Sequence, residues 1–320
     1  MIKKKLLIVF LILIQKILLA ETIYVSNEKD HNISVIDGNS LEVIKTVQVG
    51  HRPRGIILSK DKKKIIICTS DDNRITVVDA ATLEVDYYLP SGPDPELMVM
   101  DEAGKFIYVA NEDDNMVTVV DYLGKKVVKE IPVGVEPEGM GLSPDGKTLV
   151  NTSETTNMAH FIDTSTLEIK ANVLVDYRPR VAQYTSDGKF VWVSSEIGGT
   201  ISIIDAAQLK IIKKIEFKIP GLSKESIQPV GVRLDNKRQL AYVALGPANR
   251  IAIVNMKTLQ VEKYILTGQR VWNLMINTDG TKLYTTNGVS NDISVIDIDK
   301  RKVIKSIPVG RYPWGVAIKE

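Results

Sequence analysis

The chain has 320 residues, 44% hydrophobic and 25% charged, the make-up of an ordinary globular protein with room for one large domain. Its formal charge of +2 conceals a slightly acidic body: four of the 41 Lys and Arg residues (Lys3, Lys4, Lys5, Lys16) fall in the first twenty positions, leaving 37 to face 39 Asp and Glu. That balance excludes nucleic-acid binding driven by phosphate neutralisation, and a single cysteine, Cys68, excludes an internal disulfide, a cysteine zinc cage and a haem-attachment pair.

Residues 1–20 read as an export signal. Lys3-Lys4-Lys5 form a basic start, Leu6 to Ile14 an apolar stretch, and Ala20 a small residue before the cut. Lys16 leaves the apolar run too short and too interrupted for a membrane span, and nothing after residue 20 resembles one. The remaining segment, 21–320, is therefore expected to be a single domain in the periplasm or outside the cell. Cys68, within Ile65-Ile66-Ile67-Cys68, is expected to be a buried thiol that packs as a small hydrophobe. His31, His51 and His160 are too scattered to indicate a metal site.

A repeat then governs the whole chain. Short β-branched runs close on an acid or amide at Asp37, Asp79, Asp121, Asp163, Asp205, Asn255 and Asp297, with spacings of 42, 42, 42, 42, 50 and 42. Each copy reads as four strands. A first strand follows a Pro-x-Gly-type element, as in Pro137-Glu138-Gly139, and a type I turn such as Ser143-Pro144-Asp145-Gly146 comes next. A second strand like Phe106-Ile107-Tyr108-Val109, the Val-Ile-Asp run and an outer strand like Lys126–Ile131 complete the unit. Four strands in 40–45 residues is the period of a propeller blade. The chain starts on a second strand, Ile23-Tyr24-Val25, and ends on a first strand, Trp314–Ile318, so its two ends complete one shared blade. The predicted fold is all-β: a seven-bladed β-propeller of four-stranded antiparallel blades, with blade-on-blade packing forming one continuous core. Tyr24, Tyr108, Tyr242 and Tyr284 recur in second strands and belong to that core; the strand-ending aspartates are expected to bond to their own turns.

The segments Ile107-Tyr108-Val109-Ala110-Asn111 and Val117-Thr118-Val119-Val120-Asp121 resemble the YVTN-type propeller repeat over residues 22–320. An exported chain of seven such copies is similar to the β-propeller proteins associated with PQQ-dependent alcohol catabolism. That resemblance implies partners among periplasmic quinoprotein dehydrogenases and c-type cytochromes. Surface-layer and lactonase-like proteins carry similar repeats.

Two loops per blade should lie on one face around the central channel. The residue just before the Gly-like position of the entry loop runs Arg54, Glu96, Glu138, Arg180, Val230, Trp272, Trp314. The residue nine before each strand-ending acid or amide runs Glu28, Ser70, Glu112, Glu154, Glu196, Gly246, Gly288. Read by blade, one side of this mouth carries carboxylates flanked by Arg54 and Arg180; the other is apolar and aromatic, with Trp272 facing Gly288 and Trp314 paired with Glu28. The single long spacing places eight extra residues in an entry loop near Ile219–Lys224, beside the apolar sector.

Aromatic faces with carboxylates suit a cation, an amine or a metal-bridged anion. Two arginines suit a carboxylated ligand such as a quinone cofactor, and an acidic rim can steer a basic cytochrome. The sequence names no cofactor. A ligand-binding or partner-binding protein is the expected function. A lactonase-like hydrolase is the alternative, with clustered carboxylates but no Gly-x-Ser-x-Gly motif and only His51 near the mouth; a surface-layer or structural propeller is another.

Overall fold

A computed structural model describes residues 21–320; the export signal read over 1–20 lies outside them. The described chain forms seven four-stranded antiparallel sheets arranged as a ring. The C-terminal strand Pro313–Lys319 pairs with Thr22–Asn27, which continues into Asn32–Asp37 and Glu42–Gln48, so the first blade is closed by both ends of the chain. Blades 2 to 7 span 53–90, 95–132, 137–174, 179–216, 229–266 and 271–308. Among the described residues no helix is long and apolar enough to cross a membrane.

Strand alternation decides how the blades pack. Successive side chains of a strand point to opposite faces, so Ile65 and Ile67 turn toward blade 1 while Ile66 and Cys68 turn toward blade 3. The result departs from the continuous core expected from the repeat: the described residues form seven apolar clusters, one at each blade interface. Tyr24, Tyr108, Tyr242 and Tyr284 occupy equivalent places in four of them, and Cys68 is fully buried in another, where burial pushes its thiol pKa up.

The turns follow the sequence closely. Asp37 accepts the N–H groups of Asn39 and Ser40 at 2.9 and 2.7 Å, and these bonds hold its carboxyl below the usual range. Asp79, Asp121, Asp163, Asp205, Asn255 and Asp297 serve their own turns in the same way. The turn at Ser143–Gly146 closes through Gly146 N–H on Ser143 O at 2.8 Å.

One blade departs from the pattern in a way that makes stability depend on pH. Where other blades carry Ser34, Thr76 or Thr118, blade 4 carries His160, 5% exposed. Its Nε2 accepts the Gly134 N–H at 2.9 Å, which leaves the ring proton on Nδ1, 2.7 Å from Asn172 Oδ1. Burial lowers its pKa below the ordinary 6.5, against the pull of Asn172. A group depressed on folding contributes stability that is full above its unfolded pKa and is lost as pH falls through the folded value. The protein is therefore expected to lose this contribution progressively as pH falls below the ordinary histidine value of 6.5. His160→Thr should flatten that limb in denaturant titrations; an unchanged acid limb would show that His160 is not its source.

Candidate functional site

The two loops predicted to share a face meet in register in every blade. The N–H of Glu28, Ser70, Glu112, Glu154, Glu196, Gly246 and Gly288 donates to the carbonyl of Tyr312, Arg52, Asp94, Glu136, Arg178, Gln228 and Arg270 respectively, at 2.8–3.1 Å. A second clamp comes from the turn between second and third strands. Asn73, Asn115, Asn157, Asn249 and Asn291 adopt the left-handed conformation that asparagine tolerates. Each accepts, through Oδ1, the N–H of the entry-loop residue ahead: Asp94, Glu136, Arg178, Arg270 and Tyr312, at 2.8–3.1 Å. His31 does the same for Arg52 through Nδ1. Those entry-loop residues are themselves left-handed, with φ between 48° and 58°. The clamp holds six strained side chains at the rim of the channel. Blade 5 has Gly199 where the asparagine would be, and the entry loop it fails to clamp is the one with the insertion.

These loops bring all ten sequence-predicted residues to the mouth, with a wiring the sequence did not show. Arg54 in blade 2 lies 2.5 Å from Glu96 of blade 3 and 3.6 Å from Glu28 of blade 1. Arg180 in blade 5 pairs with Glu138 at 3.0 Å and with Glu154, both of blade 4; Glu196 of its own blade is farther, at 3.8 Å. The charges thus tie blade to blade. Three more arginines join from the clamped positions, which sequence reasoning passed over although they lie two residues upstream of the row it read. Arg52 spans both oxygens of Asp94 at 2.7 and 2.8 Å. Arg178 reaches Glu154 at 2.8 Å and Glu196 at 3.3 Å.

Arg270 changes the picture of the apolar sector. From blade 7 it crosses blade 6 and pairs with Glu196 of blade 5 at 2.6 Å, bonding Gln228 on the way at 2.7 Å. Gly246 lies alongside it: a Cβ there would stand 3.4 Å from the guanidinium carbon, in ordinary contact. The tryptophans are roofed by the protein's own cations, Trp272 by Arg270 at 4.3 Å and Arg180 at 5.7 Å, and Trp314 by Arg54 at 5.5 Å. Trp272 does sit over Gly288, where a Cβ would come within 2.4 Å of its indole nitrogen. The inserted segment, between Lys210–Glu216 and Pro229–Asp235, turns Phe217, Ile219 and Ile227 into the interface between blades 5 and 6. Of its residues, Gln228 at its end reaches the charged network.

Glu28, Asp71, Asp94, Glu96, Glu112, Glu138, Glu154 and Glu196 thus face Arg52, Arg54, Arg178, Arg180 and Arg270: among the described residues, eight carboxyl groups against five guanidinium groups. Glu96, Glu138, Glu154, Arg180 and Glu196 are at most 5% exposed. Burial raises the Glu96 carboxyl well above its usual range; Arg54 opposes and Glu138 adds to the rise. Burial also raises Glu154, against Arg180 and with Glu138. Glu112 is raised by burial and by Glu138 and Asp94. Buried oxygens of Glu96 (Oε1) and Glu138 (Oε2) have no hydrogen-bond partner among the described residues.

Asp94, Glu96 and Glu112 offer oxygens within 4.8 Å of one another, near enough for a cation. Arg52 already spans Asp94 and Arg54 already holds Glu96, so the donor set is matched by guanidinium rather than left open for a divalent ion. His51 pairs with Asp72 at 2.7 Å on the exposed rim, outside this network. A larger cleft of about 580 Å³, lined by Phe190, Trp192 and Met256, lies between blades 5 and 6 toward the opposite face.

Neither protein-family models nor curated protein sequences match the chain. Solved structures do. Hydrazine synthase of Kuenenia stuttgartiensis is 22% identical over 86% of this chain and 92% of that one, with a TM-score of 0.77. Dihydro-heme d1 dehydrogenase NirN, described in complex with DHE, is 16% identical over 92% of this chain and 74% of that one, at 0.70. A candidate 6-phosphogluconolactonase of Bacteroides fragilis NCTC 9343 is 19% identical over 94% and 98%, at 0.80. At these identities the likeness establishes the propeller fold, a scaffold on which unrelated functions are built.

Proposed function

We propose that the chain is a non-catalytic binding propeller, exported to the periplasm or beyond, whose acidic mouth receives a cationic group presented by a partner protein. The observation that carries this reading is the surplus of carboxyl groups at the mouth, with buried oxygens of Glu96 and Glu138 that accept no hydrogen bond among the described residues, Arg52 Nη2 standing 3.5 Å from Glu96 Oε1. A lysine or arginine side chain, or a free amine, supplies the donors those oxygens lack. Around the mouth, the loop tips expose Val135, Tyr177, Ile197, Val289 and Tyr312, an apolar rim suited to a protein contact. The likeness of the repeats to propellers associated with PQQ-dependent alcohol catabolism makes a quinoprotein dehydrogenase or a basic c-type cytochrome the partner to test first.

The test uses a basic c-type cytochrome, the same cytochrome with its lysines acetylated, and a PQQ-loaded alcohol dehydrogenase, each titrated calorimetrically. Native cytochrome is expected to bind with a Kd that weakens steeply with salt, and acetylated cytochrome to bind poorly. Glu112→Gln with Glu138→Gln should weaken binding by about tenfold. Because Glu112 is raised by its buried, acidic surroundings, a bound cation favours its ionised form, so affinity should rise as pH rises above the ordinary carboxylate range. Binding indifferent to salt and to the double substitution, or absent with all three probes, sinks the reading.

A further inference from the structure

Below the mouth, the first strands of all seven blades line the channel. Two positions past the Gly-like residue the channel-facing row runs Ile57, Val99, Gly141, Gln183, Arg233, Met275 and Ala317. At about 3.3 Å per residue this row lies roughly 10 Å deeper than Arg54 and Glu138. Here the channel holds a chamber of about 330 Å³, walled mainly by apolar side chains such as Ile57, Leu97, Val99, Met140 and Met275. It extends toward Thr185, Ser186 and Asn236, at the end opposite the mouth.

Among the described residues, Arg233 is the one charged residue in that wall. Every arginine of the mouth has a carboxylate; Arg233 has none among the described residues. Its Nη1 donates to the adjacent Val232 carbonyl at 2.9 Å, and its buried Nε has no partner. At the same level in the neighbouring blade, Gln183 has a buried Oε1 without a hydrogen-bond partner among the described residues, and rotation of this amide turns its NH2 donors to an anion instead. A guanidinium half-buried against apolar side chains is costly to keep without a counter-charge.

We propose that this chamber is a carboxylate site, in which Arg233, assisted by the Gln183 amide, receives the anionic head of a small monocarboxylate whose short hydrocarbon tail lies against Ile57, Val99 and Met275. Arginine presents a planar fork of donors that matches a carboxylate. The volume sits at the lower end for small-molecule pockets, which selects a short aliphatic acid over a large cofactor. Burial lowers the Arg233 pKa to about 10, which still leaves it charged at neutral pH. The site is separate from the mouth, and its failure would leave the reading of the mouth untouched.

The experiment titrates the purified chain, in carboxylate-free buffer, with hexanoate, hexan-1-ol and hexylamine. Hexanoate is expected to bind saturably at one site, with the alcohol and the amine weaker by at least about tenfold. Arg233→Met, which fills similar volume without the charge, should lose hexanoate binding and raise the melting temperature of the ligand-free protein. Selectivity among the three probes on the unaltered chain decides the matter even if the variant folds poorly. Hexanoate binding no better than hexan-1-ol, or undiminished hexanoate affinity in Arg233→Met, overturns the assignment.

Discussion

Arg180→Met is expected to lower the stability of the folded chain by about 3–5 kcal/mol near neutral pH, the cost of leaving buried carboxylates without their counter-charge. Arg180 is 4% exposed and meets Glu138, Glu154 and Glu196. Burial alone would lower its pKa, but those carboxylates outweigh burial and hold the guanidinium charged. Adding Glu138→Gln and Glu154→Gln to the variant should restore most of the loss, since uncharged groups of the same shape need no ion partner. The deficit should also depend on pH. Glu154 is already raised by burial, and removing Arg180 raises it further. A carboxyl whose folded pKa lies above its unfolded one contributes stability that is full below the unfolded pKa and is lost as pH rises through the folded value. Denaturant midpoints should therefore show the deficit shrinking from about pH 8 to about pH 5. A deficit under about 1 kcal/mol, or one flat with pH, would mean that Arg180 does not act as the counter-charge.

Gly139→Ala is expected to cost about 3 kcal/mol, at the upper end for overpacking, although it adds a single methyl group. A Cβ at Gly139 would stand 2.0 Å from the Arg180 carbonyl oxygen and 2.5 Å from Thr152 Oγ1. Thr152 itself joins the two inner strands, accepting the Gly139 N–H and donating to Arg180 O, both at 2.9 Å. Relief of the clash therefore requires blades 4 and 5 to part where Glu138 meets Arg180. Gly146→Ala is the matched control: a Cβ there meets nothing within 4 Å, and its φ of +71° makes the cost conformational, about 1 kcal/mol. Equal midpoints for the two variants would show that close approach of the strands is not what requires glycine at 139.

Much of the site is legible in the sequence. A repeat that returns every 42 residues returns to the same place in each blade, so rows of equivalent positions could be read as rings, and all ten predicted residues do gather at the mouth. The asparagine clamp was visible in the same register, as Asn73, Asn115, Asn157, Asn249 and Asn291, yet its role rests on a left-handed backbone that spacing does not report. Arg52, Arg178 and Arg270 were missed for a related reason. A residue at the rim of a loop points wherever its backbone aims it, and the clamp aims these three inward.

The division between the two kinds of information is physical. Blade number, closure by the two ends, the buried tyrosines and the turn-capping aspartates follow from local patterns: strand alternation, turn chemistry and the period of the repeat. Those patterns act over a few residues, and a linear sequence records them directly. Pairing across the ring is different. Arg270 meets Glu196, 74 residues away, by reaching across blade 6, and Arg233 faces an apolar chamber because, among the described residues, no other blade places a carboxylate in its wall. Such outcomes depend on the curvature of the assembled ring and the reach of long side chains, so the tertiary structure alone decided which charges at the channel are matched and which one is not.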